Sequence, residues 1–93
     1  MRGPNAPITR TTSGLCTVEG YTPRNYHGAH LDATTAAVVE IRDGGASGQI
    51  LDTLRVGAAG EDSTPTYENG VATAGGIYVN VVSGTVTVTV YAS

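Results

Sequence analysis

Two histidines and an aspartate are the side chains whose spacing comes nearest to a reactive or metal-binding site. His27, His30 and Asp32 form the pattern H-x2-H-x-D. Imidazole and carboxylate groups are suitable ligands for transition metals. Because side chains alternate along a β-strand, His30 and Asp32 would share one face while His27 would lie on the other. The pattern therefore disfavours a metal site within one chain and leaves open a site on a symmetry axis, where each subunit contributes His27 or His30.

Cys16 is the single cysteine and could in principle act as a nucleophile with a distant histidine as its base. No glycine-rich nucleophile elbow surrounds it, and the neighbouring Leu15 and Val18 indicate a residue that packs in the interior. A lone cysteine also excludes an internal disulfide. We expect a buried, unreactive thiol.

A glycine-rich loop over residues 43–49 is the remaining candidate for a ligand site. It lacks the Lys-Ser or Lys-Thr ending of a phosphate-binding loop. Asp43 and Asp52 lack the spacing and the closing glutamate of a calcium-binding EF-hand loop. We interpret these as turn residues and expect no catalytic residue, no cofactor and no resident metal, so the chain is predicted not to be an enzyme.

The charge distribution bears on the possible partners. The chain carries five basic residues, all arginine, against eight acidic ones. The arginines are Arg2, Arg10, Arg24, Arg42 and Arg55. Because they are scattered, no basic stripe for nucleic acid is formed. No apolar run approaches the roughly 20 residues that span a bilayer, and the first residues lack the apolar region of a secretory signal. We expect no nucleic-acid or membrane partner and synthesis in the cytoplasm.

The last third of the chain carries the clearest structural signal. Apolar and polar residues alternate over residues 77–82 and again over 85–91, with Ser83-Gly84 between them. A two-residue loop there predicts a β-hairpin with one aliphatic face. The predicted cross-strand pairs are Val81 with Val86, Val79 with Val88 and Ile77 with Val90. The opposite face of this hairpin would carry Tyr78, Asn80, Thr85, Thr87, Thr89 and Tyr91.

That polar face is the strongest candidate for a contact surface. It is uncharged and bears two tyrosines, a composition similar to that of interface cores. Solvated threonines are the alternative, since threonine favours strands in any case. A carbohydrate platform is a weaker alternative because the chain has no tryptophan.

Short strands separated by turn residues fill the middle of the chain. We predict strands at 15–19, 29–34, 36–42, 50–56, 64–68 and 71–73, and irregular structure at 20–28 and 57–63. A bulge near Asp52 and Thr53 would pair Ile41 with Leu51 and Val39 with Leu54. A short helix at 50–54 is the alternative. The pattern predicts an all-β fold, either a small antiparallel β-sandwich or a barrel.

Residues 1–14 are interpreted as an extended N-terminal arm, followed by a single β domain over 15–93. The arm contains Pro4 and Pro7, and its one sizeable apolar residue is Ile8. We expect Ile8 and Arg10 to contact a neighbouring subunit. The core, rich in valine and alanine and without a disulfide, is thin for independent stability, so we also predict a homo-oligomer.

Two runs resemble small β-proteins encoded among the structural genes of tailed bacteriophages. They are AAVVEIRDGGASGQILDTLRVGAAG and GGIYVNVVSGTVTVTVYAS, within residues 36–93. The resemblance implies a virion component with the major coat protein or other virion subunits as partners and no catalytic residues. We therefore expect a capsid decoration or cement protein that bridges coat subunits. The alternatives are a tail or head-to-tail junction component and a particle-exposed carbohydrate-binding module.

Overall fold

Residues 6–18 and 20–93 are described by a computed structural model, and they form nine β-strands and no helix. The strands are β1 (Ala6–Arg10), β2 (Gly14–Leu15), β3 (Asn25–Ala33), β4 (Ala37–Asp43), β5 (Ile50–Val56), β6 (Gly60–Ser63), β7 (Val71–Ala72), β8 (Ile77–Ser83) and β9 (Val86–Ala92). The predicted all-β fold is confirmed. No helix in this part of the chain has the length and apolarity to cross a membrane.

The strands form two antiparallel sheets that pack as a small β-sandwich. Sheet A has the order β1-β9-β3-β6, with β7 also pairing with β3. Sheet B has the order β2-β8-β4-β5. Strict alternation directs one face of each strand inward: in β4, Ala37, Val39 and Ile41 are buried while Glu40 and Arg42 are only partly covered. This inward set is the one predicted from the sequence.

The predicted C-terminal hairpin is wrong, although its buried residues were predicted correctly. Strand β8 lies in sheet B, where Val81 pairs with Val39, and β9 lies in sheet A, where Val88 pairs with Leu31. Ser83 is the last residue of β8, and Gly84 and Thr85 form an arch that crosses from one sheet to the other. Alternation specifies which side chains are buried, and an arch buries the same ones as a hairpin.

A second arch runs beside the first and explains its path. The connection from β3 to β4 also crosses between the sheets. The N–H of Thr34 donates to the carbonyl of Thr85 at 3.2 Å, and the N–H of Thr85 donates to the hydroxyl of Thr35 at 3.2 Å. These bonds satisfy backbone groups that a hairpin would have paired internally.

The bulge in β5 lies one residue earlier than predicted. Val39 pairs with Leu54 as expected. Ile41 pairs with Asp52 instead of Leu51, and Arg42 pairs with Ile50. Leu51 is therefore the extra residue of the bulge, and both the predicted Ile41–Leu51 pair and the helical alternative are wrong.

Strand β3 begins at Asn25, inside the segment expected to be irregular. Its register with β9 shifts between Tyr26 and Gly28, so His27 is an unopposed bulge residue. Residues 20–24 lie outside the strands, as predicted, whereas residues 25–28 belong to β3. Two further differences concern β6, which falls in the predicted 57–63 loop, and residues 64–68, which form no strand.

Residues 6–10 are an edge strand of sheet A, so the arm interpretation is wrong for them. Ile8 is buried in the core and opposite Val90, which leaves it unavailable to a neighbouring subunit. Pro7 is tolerated because an edge strand pairs on one side only. The guanidinium of Arg10 folds back onto the carbonyl oxygens of Thr12, Ser13 and Leu15 at 3.1 to 3.3 Å. Residues 1–5 lie outside the described residues.

Candidate assembly interface

The residues predicted to form one contact face lie on opposite sides of the sandwich. Tyr78 and Asn80 point outward from sheet B, in β8. Thr87, Thr89 and Tyr91 point outward from sheet A, in β9, and Thr85 lies in the arch that precedes β9. The six residues therefore form no common surface. The separation follows directly from the arch between β8 and β9.

The outward side chains of sheet A form rows across its strands. The first row joins Pro7 and Tyr91; the second joins Thr9, Thr89, His30 and Ser63; the third joins Thr87, Asp32 and Glu61. We call these residues the outer face of sheet A. Neighbouring strands lie about 4.8 Å apart, so the rows form one continuous surface. Its β1 and β9 side is uncharged, and its charged groups lie on β3 and β6.

His30 joins β3 to β6 through both nitrogens of its ring. Nδ1 lies 2.5 Å from Oγ of Ser63, and Nε2 lies 2.8 Å from Oε1 of Glu61. The His30 and Glu61 side chains are 36% and 65% exposed. Ser63 and Glu61 were not predicted as site residues because residues 57–63 were interpreted as a loop. The run Glu61-Asp62-Ser63 is entirely polar and gives no local signal of a strand.

His27 has a different environment from the other histidine. It is 5% exposed, with Nδ1 2.8 Å from the carbonyl oxygen of Tyr67 and Nε2 2.9 Å from Oγ of Ser93. Because a carbonyl only accepts, Nδ1 carries the proton and the hydroxyl of Ser93 donates to Nε2 in the neutral ring. His27 thus joins the β3 bulge to residues 67 and 93. Among residues 6–18 and 20–93, no group of three or more potential ligands is arranged to hold a metal ion.

The outer face of sheet B is occupied by a network of its own. Oε1 of Glu40 accepts hydrogen bonds from Nε of Arg42 at 2.9 Å and from Nδ2 of Asn80 at 3.0 Å. These bonds, with that of Asn80 the larger influence, lower the pKa of Glu40. Nη1 of Arg42 also donates to the carbonyl of Gly48 at 2.6 Å. The side chain of Asn80 is therefore hydrogen-bonded within the chain.

The edges of the sheets offer little to an added strand. Pro7 removes one N–H from β1, and β2 is only two residues long. On β5, the N–H of Arg55 donates to Oδ2 of Asp62 at 3.0 Å. Proline, short length and side-chain caps are the means by which natural sheets avoid edge pairing.

Cys16 is buried, as predicted. Burial raises the pKa of its thiol to about 11, and the nearby Arg10 charge offsets only part of that effect. The thiolate is the nucleophilic form of cysteine. A neutral, enclosed thiol supports a packing role.

Comparisons with known proteins add no relative: no family model matches the chain, and no match to it was found among curated proteins or solved structures. The resemblance to phage structural proteins therefore stays a prediction that rests on the two sequence runs.

Proposed function

We propose that this chain is a non-enzymatic structural subunit that binds other protein subunits through the outer face of sheet A. Its proposed setting is the virion of a tailed bacteriophage, where it decorates the capsid and cements the coat subunits. The observation that carries the proposal is the uncharged part of this face, where Pro7, Thr9, Thr87, Thr89 and Tyr91 lie side by side. Tyr91 is 38% exposed and offers a rigid contact surface.

The size of the face favours a repeated contact over a tight pairwise one. Four strands with about 4.8 Å between neighbours give a width of roughly 15 Å, and a strand of five residues is about 17 Å long. This flat area of a few hundred Å² is well below the roughly 800 Å² per partner of a standard interface. A weak contact of this size becomes effective when a homo-oligomer places several copies on a symmetric shell.

Two matched substitutions, one on each sheet, test whether the outer face of sheet A is the binding surface. Thr87→Asp places a carboxylate opposite Asp32 on sheet A, and Thr53→Asp places one opposite Glu40 on sheet B. Both positions are exposed and both changes add the same charge beside an existing carboxylate. Co-sedimentation with capsids that lack this chain should show at least a tenfold loss of binding for Thr87→Asp and little change for Thr53→Asp. Equal binding by both variants would contradict the assignment.

Two alternatives use the same surface. A tail or head-to-tail junction component would bind isolated tails or junctions in the same assay and would not bind capsids. A carbohydrate-binding module would use the exposed ring of Tyr91 to stack on a sugar, beside the hydroxyls of Thr9 and Thr89. Binding on a glycan array that Tyr91→Ala abolishes, and Tyr78→Ala on sheet B does not, would favour that alternative.

A further inference from the structure

Ser63, His30 and Glu61 form a hydroxyl–imidazole–carboxylate series on the outer face of sheet A. His30 and Ser63 are directly opposed in the pairing of β3 with β6. Nδ1 of His30 lies 2.5 Å from Oγ of Ser63, and Nε2 lies 2.8 Å from Oε1 of Glu61. These three types of group, in this order, activate a serine in nucleophilic catalysis.

The direction of the two hydrogen bonds follows from the carboxylate. An ionised carboxylate only accepts, so Nε2 of the neutral imidazole carries the ring proton. Nδ1 is then the unprotonated nitrogen, and the hydroxyl of Ser63 donates to it. This is the arrangement in which an imidazole removes a proton from a hydroxyl. Glu61 is a positioning residue, since it holds the ring in the required tautomer.

We propose that Ser63 is an activated nucleophile that is acylated by activated esters, a property beyond the proposed structural function. In this step Oγ of Ser63 forms a bond to the acyl carbon while its proton moves to Nδ1 of His30. The bond from the acyl carbon to the leaving oxygen then breaks, and His30 returns the proton to that oxygen. The products are an ester on Ser63 and a free alcohol or phenol.

The backbone around Ser63 limits the chemistry to a single acylation. The N–H of Ser63 donates to Oδ1 of Asp62 at 2.9 Å, and the N–H of Thr64 donates to the carbonyl of Ala29 at 3.0 Å. Neither N–H is free to stabilise the oxyanion of a tetrahedral intermediate. Acyl donors with good leaving groups are therefore required, and hydrolysis of the ester on Ser63 is slow. Ser63 is thus a modification site and the chain is not a hydrolase.

The experiment treats the full chain with p-nitrophenyl acetate and locates the acetyl group by peptide mass spectrometry. The chain has no lysine, so no side-chain amine competes for the reagent. Ser83 is the internal control, because it is also exposed and lies on the other sheet. We expect Ser63 to be acetylated at least tenfold faster than Ser83, a threshold below the roughly 100-fold or more that general-base catalysis typically provides.

Substitutions distinguish a Ser63 hydroxyl that is activated by His30 from one that reacts only because it is exposed. Ser63→Ala should remove the modification, and His30→Gln should reduce the Ser63 rate to that of Ser83. Glu61→Gln should lower the rate and change its pH profile, while Asp32→Asn, opposite Glu61 on the same face, should leave most of the rate. Equal rates at Ser63 and Ser83, or an unchanged rate in His30→Gln, would overturn the proposal.

Discussion

The backbone N–H of Arg55 in sheet B donates a hydrogen bond to Oδ2 of Asp62 in sheet A, at 3.0 Å. The other carboxylate oxygen, Oδ1, accepts from the N–H of Ser63 at 2.9 Å. Asp62 therefore joins edge strand β5 of one sheet to edge strand β6 of the other. It also occupies a donor that an added strand would need. One side chain thus contributes to closing the sandwich and to keeping its edge unpaired.

Asp62→Ala should lower the free energy of unfolding by about 1 kcal/mol, the usual net contribution of a hydrogen bond. It should also increase self-association, because the freed N–H of Arg55 becomes available to another chain. Urea unfolding and light scattering measure the two effects. Glu68→Ala, at an exposed position outside the strands, is the control and should change stability by less than about 0.5 kcal/mol. Indistinguishable variants would show that Asp62 has no role in joining the sheets.

The arch between β8 and β9 depends on Gly84. Its φ is 91°, and a Cβ added there would lie 2.5 Å from Cβ of Ala37 and 2.6 Å from the carbonyl oxygen of Ala36. Gly84→Ala should therefore cost about 2 kcal/mol or more. Gly57→Ala is the control, because nothing lies within 4 Å of a Cβ at that position. Thermal unfolding should show a lower melting temperature for Gly84→Ala alone; equal stability of the two variants would contradict the arch.

The same arch shows where the sequence was informative and where it was not. Alternation identified the buried set of β8 and β9 correctly, since a strand buries every second residue in either topology. It carried no information on which strand lies beside β9. That choice depends on pairs of residues that are far apart in the sequence, such as Val88 with Leu31. A local pattern of residue types does not specify such pairs. The Ser63–His30 contact was missed for the same reason, because it joins two strands that are distant in the chain.

Alkaline pH should destabilise the fold through its buried acids. Burial raises the pKa of Cys16 from 9.0 to about 11 and also raises the pKa of Tyr26. The unfolded chain then releases the thiol proton at a lower pH than the folded chain does. This stabilising contribution is complete below about pH 9 and is lost as the pH rises through about 11, at a cost of about 3 kcal/mol for Cys16. Urea unfolding across this range measures the loss, which Cys16→Ala should make shallower; an equally steep loss in that variant would exclude Cys16 as a cause.

The buried Tyr26 and the partly buried Tyr67 should respond oppositely to loss of the hydroxyl. The Tyr26 oxygen is buried with no hydrogen-bond partner among the described residues, although Asp52 and Thr64 lie near enough to influence its pKa. The Tyr67 hydroxyl donates to the carboxylate of Asp52 at 3.2 Å. Tyr26→Phe should therefore leave stability unchanged or raise it, and Tyr67→Phe should lower it by about 1 kcal/mol. Urea unfolding of both variants decides; a larger loss for Tyr26→Phe would show that its hydroxyl has a partner in solution.

Substitutions at adjacent residues of β9 test the stability of the fold and the role of the contact surface separately. Val88 is fully buried, so Val88→Asp places a carboxylate in the core at a cost of several kcal/mol and should unfold the domain. Arg10 lies opposite Val88 and could pair with the new charge. Val90→Asp is therefore a stricter test, because its cross-strand neighbours are Ile8 and Ala29.

Thr87→Asp should stay folded, since Thr87 is exposed on the outer face of sheet A. Its new charge meets Asp32 across the strand pair, which costs less than about 1 kcal/mol. Circular dichroism and urea unfolding of the purified chain should then show a native variant that nevertheless fails to bind its assembly. Because Thr87 and Val88 are neighbours with opposite orientations, the comparison keeps the position in the chain nearly constant and changes only the face. Equal destabilisation of the purified chain by Thr87→Asp and Val88→Asp would mean that both faces of β9 are buried within one subunit, and the outer face of sheet A could not be the interface.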